Sequence, residues 1–145
     1  REGHFLLVEE HTRDGLKLNN PAGHLDPGES PQEACTREVL EETAYDFTPT
    51  ALVGVYLNRF TKTRSLDDLT YLRFAFTGQI GAHYAERALD TGIVRAVWLT
   101  AEELRACPER HRSPLLLRSL EDYLAGQRFD LSLVHTDPSV QLLRR

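Results

Sequence analysis

Three glutamates close together in the chain have the residue type and the spacing to do chemistry. Glu38, Glu41 and Glu42 lie three and four positions apart, so a helix would project their carboxylates from one face. Carboxylates at this spacing repel one another, and a helix that only needed solubility would place Lys or Arg among them. Hard divalent cations bind to clusters of carboxylates. The spacing therefore predicts a Mg²⁺ site, in which Mn²⁺ is a possible substitute.

Residues 23–45 surround these glutamates and read GHLDPGESPQEACTREVLEETAY, a Gly- and Pro-rich turn that leads into an acidic helix. Arg37 directly precedes Glu38 and would point about 100° away from it on a helix. We therefore expect Arg37 to reach back to Glu29 or to a glutamate, and to orient the ligands without binding metal itself. The alternative for an isolated REVLEE is a solvated helix face, because surface helices often carry several glutamates.

The longer pattern resembles the Nudix family signature, G-x5-E-x7-R-E-U-x-E-E-x-G-U. The match covers the first glycine and every charged position, namely Gly23, Glu29, Arg37, Glu38, Glu41 and Glu42. Two positions depart from the signature, because Ala44 stands where it has glycine and Tyr45 replaces a small aliphatic residue. Glycine at this place serves the exit from the helix, so the departure concerns loop geometry more than metal binding.

The resemblance implies an α+β Nudix fold, an α/β/α sandwich with a mixed β-sheet, and a Mg²⁺-dependent enzyme that hydrolyses phosphoanhydride bonds. Carried over residue by residue, it implies the metal ligands Glu38, Glu41, Glu42 and the Gly23 carbonyl, with Glu29 and Arg37 bracing the loop and the helix. The metal ions of such an enzyme neutralise phosphate oxygens and activate a water for in-line attack on phosphorus.

Many members of the family also use an acidic residue as general base, in a later loop just before the strand that contains the tryptophan. That region reads ALDTGIVRAVW here, and its nearest acid is Asp90, although the expected glutamate position corresponds to Thr91 or Gly92. Asp90 is therefore the candidate base. Its alternative role is that of a turn residue before Gly92.

Segments outside the signature narrow the resemblance to one group of the family. NNPAGHLDPGES, YLRFAF, WLTAEE and RSPLLLRSLEDYLAGQRF are similar to the NudJ-type phosphatases, which are associated with nucleoside tri- and diphosphates and thiamine-type pyrophosphates. This similarity implies release of phosphate from a small-molecule phosphoanhydride substrate. One alternative is a nucleotide-sugar or dinucleotide pyrophosphohydrolase of the ADP-ribose type. Others are an acidic interaction domain without metal and a nucleotide-sensing module without catalysis, but a sensing module would normally have lost a signature glutamate.

Four residues outside the carboxylate cluster are candidates for substrate contact. His24 lies in the signature loop and either touches a phosphate or bonds within its own turn. Arg73 and Arg112 either bind phosphate through their guanidinium forks or form surface salt bridges. Tyr71 either stacks on a base or pyrimidine ring or is a half-buried packing residue. Cys35, within the signature helix, is interpreted as core packing and not as a nucleophile.

Local patterns predict the elements that must position these residues. Ser30, Pro31 and Glu33 combine an N-cap, a first-turn proline and a capping-box glutamate, which predict a helix over 31–43. Apolar and β-branched runs predict strands over 4–10, 15–20, 51–58, 70–78 and 93–99. Further helices are predicted over 101–107 and 113–126, and the charged segment 59–69 is predicted to be a solvated loop.

Length and composition bound the class of protein. With 145 residues and 41% hydrophobic content, the prediction is one domain over 1–145. Because the chain lacks Met and starts in a strand, the expectation includes an N-terminal strand missing from it. A net charge of −5 disfavours binding to a nucleic acid polymer. Cys35 and Cys107 form no metal-binding or disulfide motif, which favours a location of the protein in the reducing cytoplasm. The sequence contains no apolar run long enough to predict a membrane span. The sequence gives no indication of the oligomeric state.

Overall fold

The computed structural model describes residues 1–61 and 68–143. The strands are β1 (His4–Thr12), β2 (Gly15–Asn19), β3 (Tyr45–Thr61), β4 (Asp68–His83) and β5 (Ile93–Thr100). The α-helices are α1 (Pro31–Thr43), α2 (Ala101–Arg105) and α3 (Leu115–Leu124), and short 3-10 helices cover Pro108–Arg110, Leu131–Leu133 and Pro138–Leu143. Within the described ranges, we find no helix with the length and apolar character of a membrane span.

The strands form two antiparallel sheets. β1 lies between β2 and β5 in a three-stranded sheet, and β3 and β4 pair with each other as a long hairpin. All pairings between these described strands are antiparallel, and the parallel bridge between Leu18 and His111 is isolated, so the described strands do not form the mixed sheet that the sequence predicts. A second bridge, between Leu52 and Phe129, joins the hairpin to the chain that follows α3.

The apolar core lies on one face of the three-stranded sheet. Leu7 and Leu18 of the sheet pack with Leu104 of α2 and with Leu116 and Leu120 of α3. All five are at most 5% exposed, and burial of one leucine side chain contributes roughly 2 kcal/mol. This packing fixes α2 and α3 as one helical layer.

The other face of the sheet carries α1. Successive strand residues point to opposite faces, so Val8 and Glu10 face away from the core around Leu7. On that side α1 contacts β1, β3 and β5, with Ala34 and Val39 buried. Helices therefore cover both faces, and the predicted α+β fold class is confirmed.

Local sequence signals determine where α1 begins and ends. The Ser30 side chain accepts a hydrogen bond from the Glu33 N–H at 3.1 Å, and Pro31 occupies the first turn. The helix ends at Thr43, and the next residue, Ala44, caps it in the left-handed conformation with φ 61° and ψ 21°. Ala44 thus takes the backbone geometry that the signature gives to glycine, at a cost of about 1 kcal/mol. The predicted range of this helix is correct.

The hairpin is longer than the sequence predicts. β3 begins at Tyr45 instead of residue 51, because β4 provides a pairing partner along the whole of it. A register shift between Pro49 and Ala51 accommodates the proline, because the strand pairing there does not need a backbone N–H from it. The prediction of a loop over 59–69 is wrong at its two ends, where Arg59 pairs with Thr70 and Phe60 with Leu69. The middle of that predicted loop, 62–67, lies outside the described residues.

The two later helices, in contrast, are shorter than predicted. α2 ends at Arg105, because Pro108 then starts a separate 3-10 turn. Its predicted capping box is present, since the Glu103 N–H donates to the Thr100 hydroxyl and the Thr100 N–H donates to the Glu103 carboxylate. α3 starts at Leu115 and ends at Leu124, just before the predicted stop at 126.

Candidate active site

Carboxylates from two distant parts of the chain meet at one place. Oxygens of Glu38, Glu41 and Asp90 all lie within 4.8 Å of one another, and we call these three residues the carboxylate cluster. Glu38 and Glu41 are one turn apart on α1, whereas Asp90 belongs to the loop before β5. The Asp90 N–H donates to the Glu41 carbonyl at 3.0 Å, which ties that loop to the helix. A group of carboxylate oxygens is the donor set that a hard divalent cation needs.

The Arg37 guanidinium connects the carboxylate cluster to the preceding turn. Its Nη1 donates to Glu38 Oε1 at 2.7 Å and to Glu41 Oε2 at 3.0 Å. Its Nε and Nη2 donate to the two oxygens of Glu29 at 3.1 and 2.8 Å, and Nη2 also donates to the His24 carbonyl at 2.9 Å. The hydrogen bond to Glu29 is the largest cause that raises the pKa of Arg37. Arg37 therefore has the contacts that a positioning residue requires.

The turn before α1 brings backbone close to the carboxylate cluster. Glu29 is 6% exposed, and its Oε1 also accepts a hydrogen bond from the Asp26 N–H at 2.7 Å. A Cβ at Gly23 would lie 2.0 Å from the carboxyl carbon of Glu38. A side chain at this position would therefore displace the Glu38 carboxylate, so glycine at the start of the signature leaves that carboxylate in place.

Burial and like charge act together on Glu38. Desolvation is the largest cause that raises its pKa, the hydrogen bond from Arg37 lowers it, and the nearby charges of Glu41 and Asp90 raise it further. A cation placed among these oxygens would reverse the effect of the like charges. The cluster therefore holds negative charge that is only partly neutralised by Arg37.

Glu42 lies next to the carboxylate cluster but makes a separate contact. It is 7% exposed, and its Oε1 accepts a hydrogen bond from the Ala22 N–H at 2.6 Å. Desolvation raises the pKa of Glu42 to about 8, against that hydrogen bond, with the charges of Glu38 and Glu10 adding to the increase. Glu42 thus fastens the turn to α1 with one oxygen, and its role as a ligand stays a prediction.

His24 and Tyr71 come together above the signature turn. Their rings stack with centroids 5.8 Å apart and an angle of 26° between the planes. Phe60 packs edge-on against Tyr71, with centroids 5.5 Å apart. Because Tyr71 is 37% exposed, this aromatic group is open to solvent on a flank of the turn that Arg37 holds.

Arg73 lies in β4 and Arg112 in the loop before α3, and each has a polar side-chain partner. Arg112 Nη1 is 2.6 Å from Glu10 Oε1, so the salt bridge considered for it is present. Arg73 Nη1 donates to Asn20 Oδ1 at 3.3 Å. Burial, together with the charge of Arg112, lowers the pKa of Arg73. Neither contact prevents the remaining donors from meeting a ligand.

Sequence reasoning missed the residues that link these groups. Glu10 ends the apolar run HFLLVEE, and alternation along β1 was the available signal that places it on the face of Val8. Ala22 and Asp26 act through backbone N–H groups, for which side-chain identity carries no signal. Cys35 is half-buried, and burial followed by the charge of Glu38 raises its pKa to about 12, which supports its interpretation as a packing residue.

Known proteins match the chain over most of its length. The family model described as NUDIX domain matches residues 1–119. The chain is 33% identical over 133 residues to Phosphatase NudJ of Escherichia coli (strain K12), which covers 92% of this chain and 83% of that protein. It is 47% identical to a solved NUDIX hydrolase from Nitrosomonas europaea, with a TM-score of 0.86 over 94% of this chain and 90% of that one. A MutT protein from Methanosarcina mazei Go1, 23% identical with a TM-score of 0.61 over 88% of each chain, shares the fold.

These similarities, together with the carboxylates that Arg37 braces, define the class of the protein as a hydrolase that acts on small-molecule phosphate substrates. The chain belongs to the Nudix family. The family resemblance read from residues 23–45 is thereby confirmed, and so is the prediction that the protein is an enzyme.

Proposed function

We propose that this Nudix hydrolase is a Mg²⁺-dependent phosphatase that removes phosphate from nucleoside tri- and diphosphates or thiamine-type pyrophosphates. The observation that carries the proposal is the carboxylate cluster, whose oxygens lie within 4.8 Å of one another beside a braced turn. The 33% identity to Phosphatase NudJ supports the choice of a phosphatase over a pyrophosphohydrolase. We also propose that residues 1–145 form one domain, and that its two free cysteines are suited to the cytoplasm.

The donor set fits Mg²⁺ on chemical grounds. Glu38 and Glu41 supply hard oxygen ligands on one face of α1, and Arg37 alone does not neutralise the cluster. The backbone of Gly23 lies next to the Glu38 side chain, and the Gly23 carbonyl is the proposed backbone ligand. Glu42 is the further proposed ligand. When bound, Mg²⁺ would stabilise negative charge on phosphate oxygens and make a water more acidic.

Three other groups of residues also have a proposed task. Arg37 and Glu29 hold the glutamates and the turn in one geometry, so that charge is already in place when substrate arrives. Asp90, tied to the Glu41 carbonyl, is the proposed acceptor for the proton of the attacking water. The exposed stack of His24 and Tyr71 is proposed to contact the aromatic part of the substrate.

The order of product release tests the proposal. With a nucleoside triphosphate and Mg²⁺, we expect diphosphate and orthophosphate to appear before any monophosphate accumulates, as followed by ion-exchange chromatography. Thiamine pyrophosphate and ADP-ribose, assayed in parallel, rank the substrate classes. An early release of pyrophosphate and monophosphate without diphosphate would contradict the phosphatase assignment. Activity that persists after a chelator has removed the divalent cations would contradict the role of Mg²⁺.

A further inference from the structure

One face of the hairpin of β3 and β4 is apolar and open to solvent. Val55 pairs with Phe74 across the two strands, and Leu57 pairs with Leu72. Residues directly opposite each other in an antiparallel pair point to the same side, and so do residues two positions apart, so the four side chains share one face. They are between 37% and 68% exposed. We call these four residues the apolar hairpin face.

The opposite face of the hairpin is covered by the rest of the chain. Tyr56 donates from its hydroxyl to the Asp122 carboxylate of α3 at 2.7 Å. Its cross-strand partner Arg73 is half-buried and donates to Asn20, just beyond the end of β2. The apolar hairpin face therefore lies on the side of the hairpin away from α3 and from the end of β2.

The size of the apolar hairpin face is that of a protein contact. Together the four side chains expose on the order of 400 Å² of apolar surface, within the range of the largest patches on soluble monomers. Two copies that meet through it would remove about 800 Å² of apolar surface from water. With a polar rim, the total approaches the lower end of the roughly 1,200–2,000 Å² that specific interfaces bury.

A pair of opposite charges extends the same face towards the end of the hairpin that joins β3 to β4. Arg59 follows Leu57 by two positions, and Asp68 precedes Leu72 by four, so alternation places both on the side of the apolar hairpin face. The Arg59 guanidinium donates to the two Asp68 oxygens at 2.7 and 2.6 Å, and both side chains are exposed. On this face β3 carries the positive charge and β4 the negative charge.

A second copy of the chain is complementary to this arrangement. When a two-fold axis runs along the hairpin, between two such faces, β3 of one copy lies over β4 of the other. The smaller Val55 then meets the larger Phe74 of the second copy, and Arg59 meets the oppositely charged Asp68 of the second copy. Both shape and charge are therefore self-complementary, which favours a second copy over an unrelated partner.

We propose that this protein forms a homodimer through the apolar hairpin face, with β3 of each copy packed over β4 of the other. Because the interface is at the lower end of the size range, its dissociation constant should be on the order of 10 µM. The dimer does not depend on the hydrolytic activity proposed above, since the apolar hairpin face lies away from the residues assigned to it.

Four variants and one control test the contact. Leu57→Glu places a charge at the most exposed residue of the apolar hairpin face, where it disturbs the interface more than the folded chain. Leu142→Glu is the matched control, because Leu142 is a similarly exposed leucine in the last 3-10 helix. Arg59→Asp and Asp68→Arg each reverse one charge, and the double variant exchanges the two charges.

The experiment is sedimentation velocity of the full chain between about 1 µM and about 500 µM, a range that brackets the expected dissociation constant. The wild type should change from monomer to dimer with increasing concentration. We expect Leu57→Glu to weaken the dimer at least about 100-fold and each single charge reversal about tenfold. The double variant should return to within about threefold of the wild type, because opposite charges meet again. Leu142→Glu should behave as the wild type.

Melting temperatures measured at the lowest concentration, where the chain is monomeric, separate loss of the dimer from loss of folding. Leu57→Glu should melt as the wild type does, and the charge-reversal series decides the question should that variant not fold. A wild type that stays monomeric throughout, a dimer that folded Leu57→Glu leaves intact, or a double variant that stays as weak as the single ones would overturn the proposal. Monomeric wild type that binds phosphatidylcholine vesicles through Leu57 would also overturn it, and would assign the face to a lipid surface.

Discussion

Glu41 is the position where the charge of the carboxylate cluster can be changed with little disturbance of packing. Its side chain is 31% exposed, and its carboxylate accepts a hydrogen bond from Arg37 at 3.0 Å. Glu41→Gln keeps the shape and keeps an oxygen that can accept from Arg37, but removes one negative charge. We therefore expect the variant to fold and to lose its affinity for Mg²⁺.

The size of the effect follows from the geometry of the cluster. Two carboxylates whose oxygens lie within 4.8 Å of each other repel by on the order of 3 kcal/mol or more at an effective dielectric constant of about 20. Solvent and Arg37 screen much of this repulsion, so about 1 kcal/mol should be relieved in the metal-free variant. For a domain of this size that corresponds to a melting temperature roughly 2–4 °C above the wild type in EDTA. Turnover with Mg²⁺ should fall about 100-fold or more.

The assay compares thermal melts and phosphate release for the wild type and Glu41→Gln, each in EDTA and in Mg²⁺. Wild-type protein should gain about 1.4 kcal/mol when Mg²⁺ is tenfold above its dissociation constant, and the variant should lose most of that gain. Glu102→Gln, which changes an exposed glutamate on α2, is the control and should behave as the wild type. Near wild-type turnover of Glu41→Gln at saturating Mg²⁺, or an undiminished Mg²⁺-induced shift, would refute the metal role of this face.

Three further predictions follow from other contacts. Arg37→Ala should lower turnover while Mg²⁺ titration still detects weak binding, because the glutamates lose their common brace; loss of the circular dichroism spectrum would show instead that Arg37 is needed for folding. Cys35 should resist iodoacetamide at pH 8 until denaturant is added, since burial raises its pKa to about 12, and an alkylated Cys35 peptide from native protein would contradict this. Ala44→Gly should keep or raise the melting temperature, because it relieves the left-handed backbone, whereas Ala34→Gly inside α1 should lower stability by about 1 kcal/mol.

Predictions from local patterns held where neighbouring residues decide the structure. The range of α1 follows from Ser30 and Pro31 at its start, and both act within one helical turn. The prediction for the hairpin ends is wrong because pairing across the hairpin holds Arg59 and Asp68 in strands. A pattern of charged residues does not indicate such pairing. Their exposed salt bridge is compatible with a loop or a strand, so composition could not decide between them.

The sequence by itself determined the family, the signature helix and the face that carries Glu38 and Glu41, because helical spacing converts residue order directly into side-chain position. The family resemblance already makes Asp90 the candidate base, but only the tertiary structure decided that its carboxylate lies at that face, since its approach depends on how the loop before β5 packs against α1. The same holds for Arg73, which meets Asn20 across 53 residues of chain. Contacts of this kind depend on how sheets and helices stack, and spacing along one element contains no information about the distance to another.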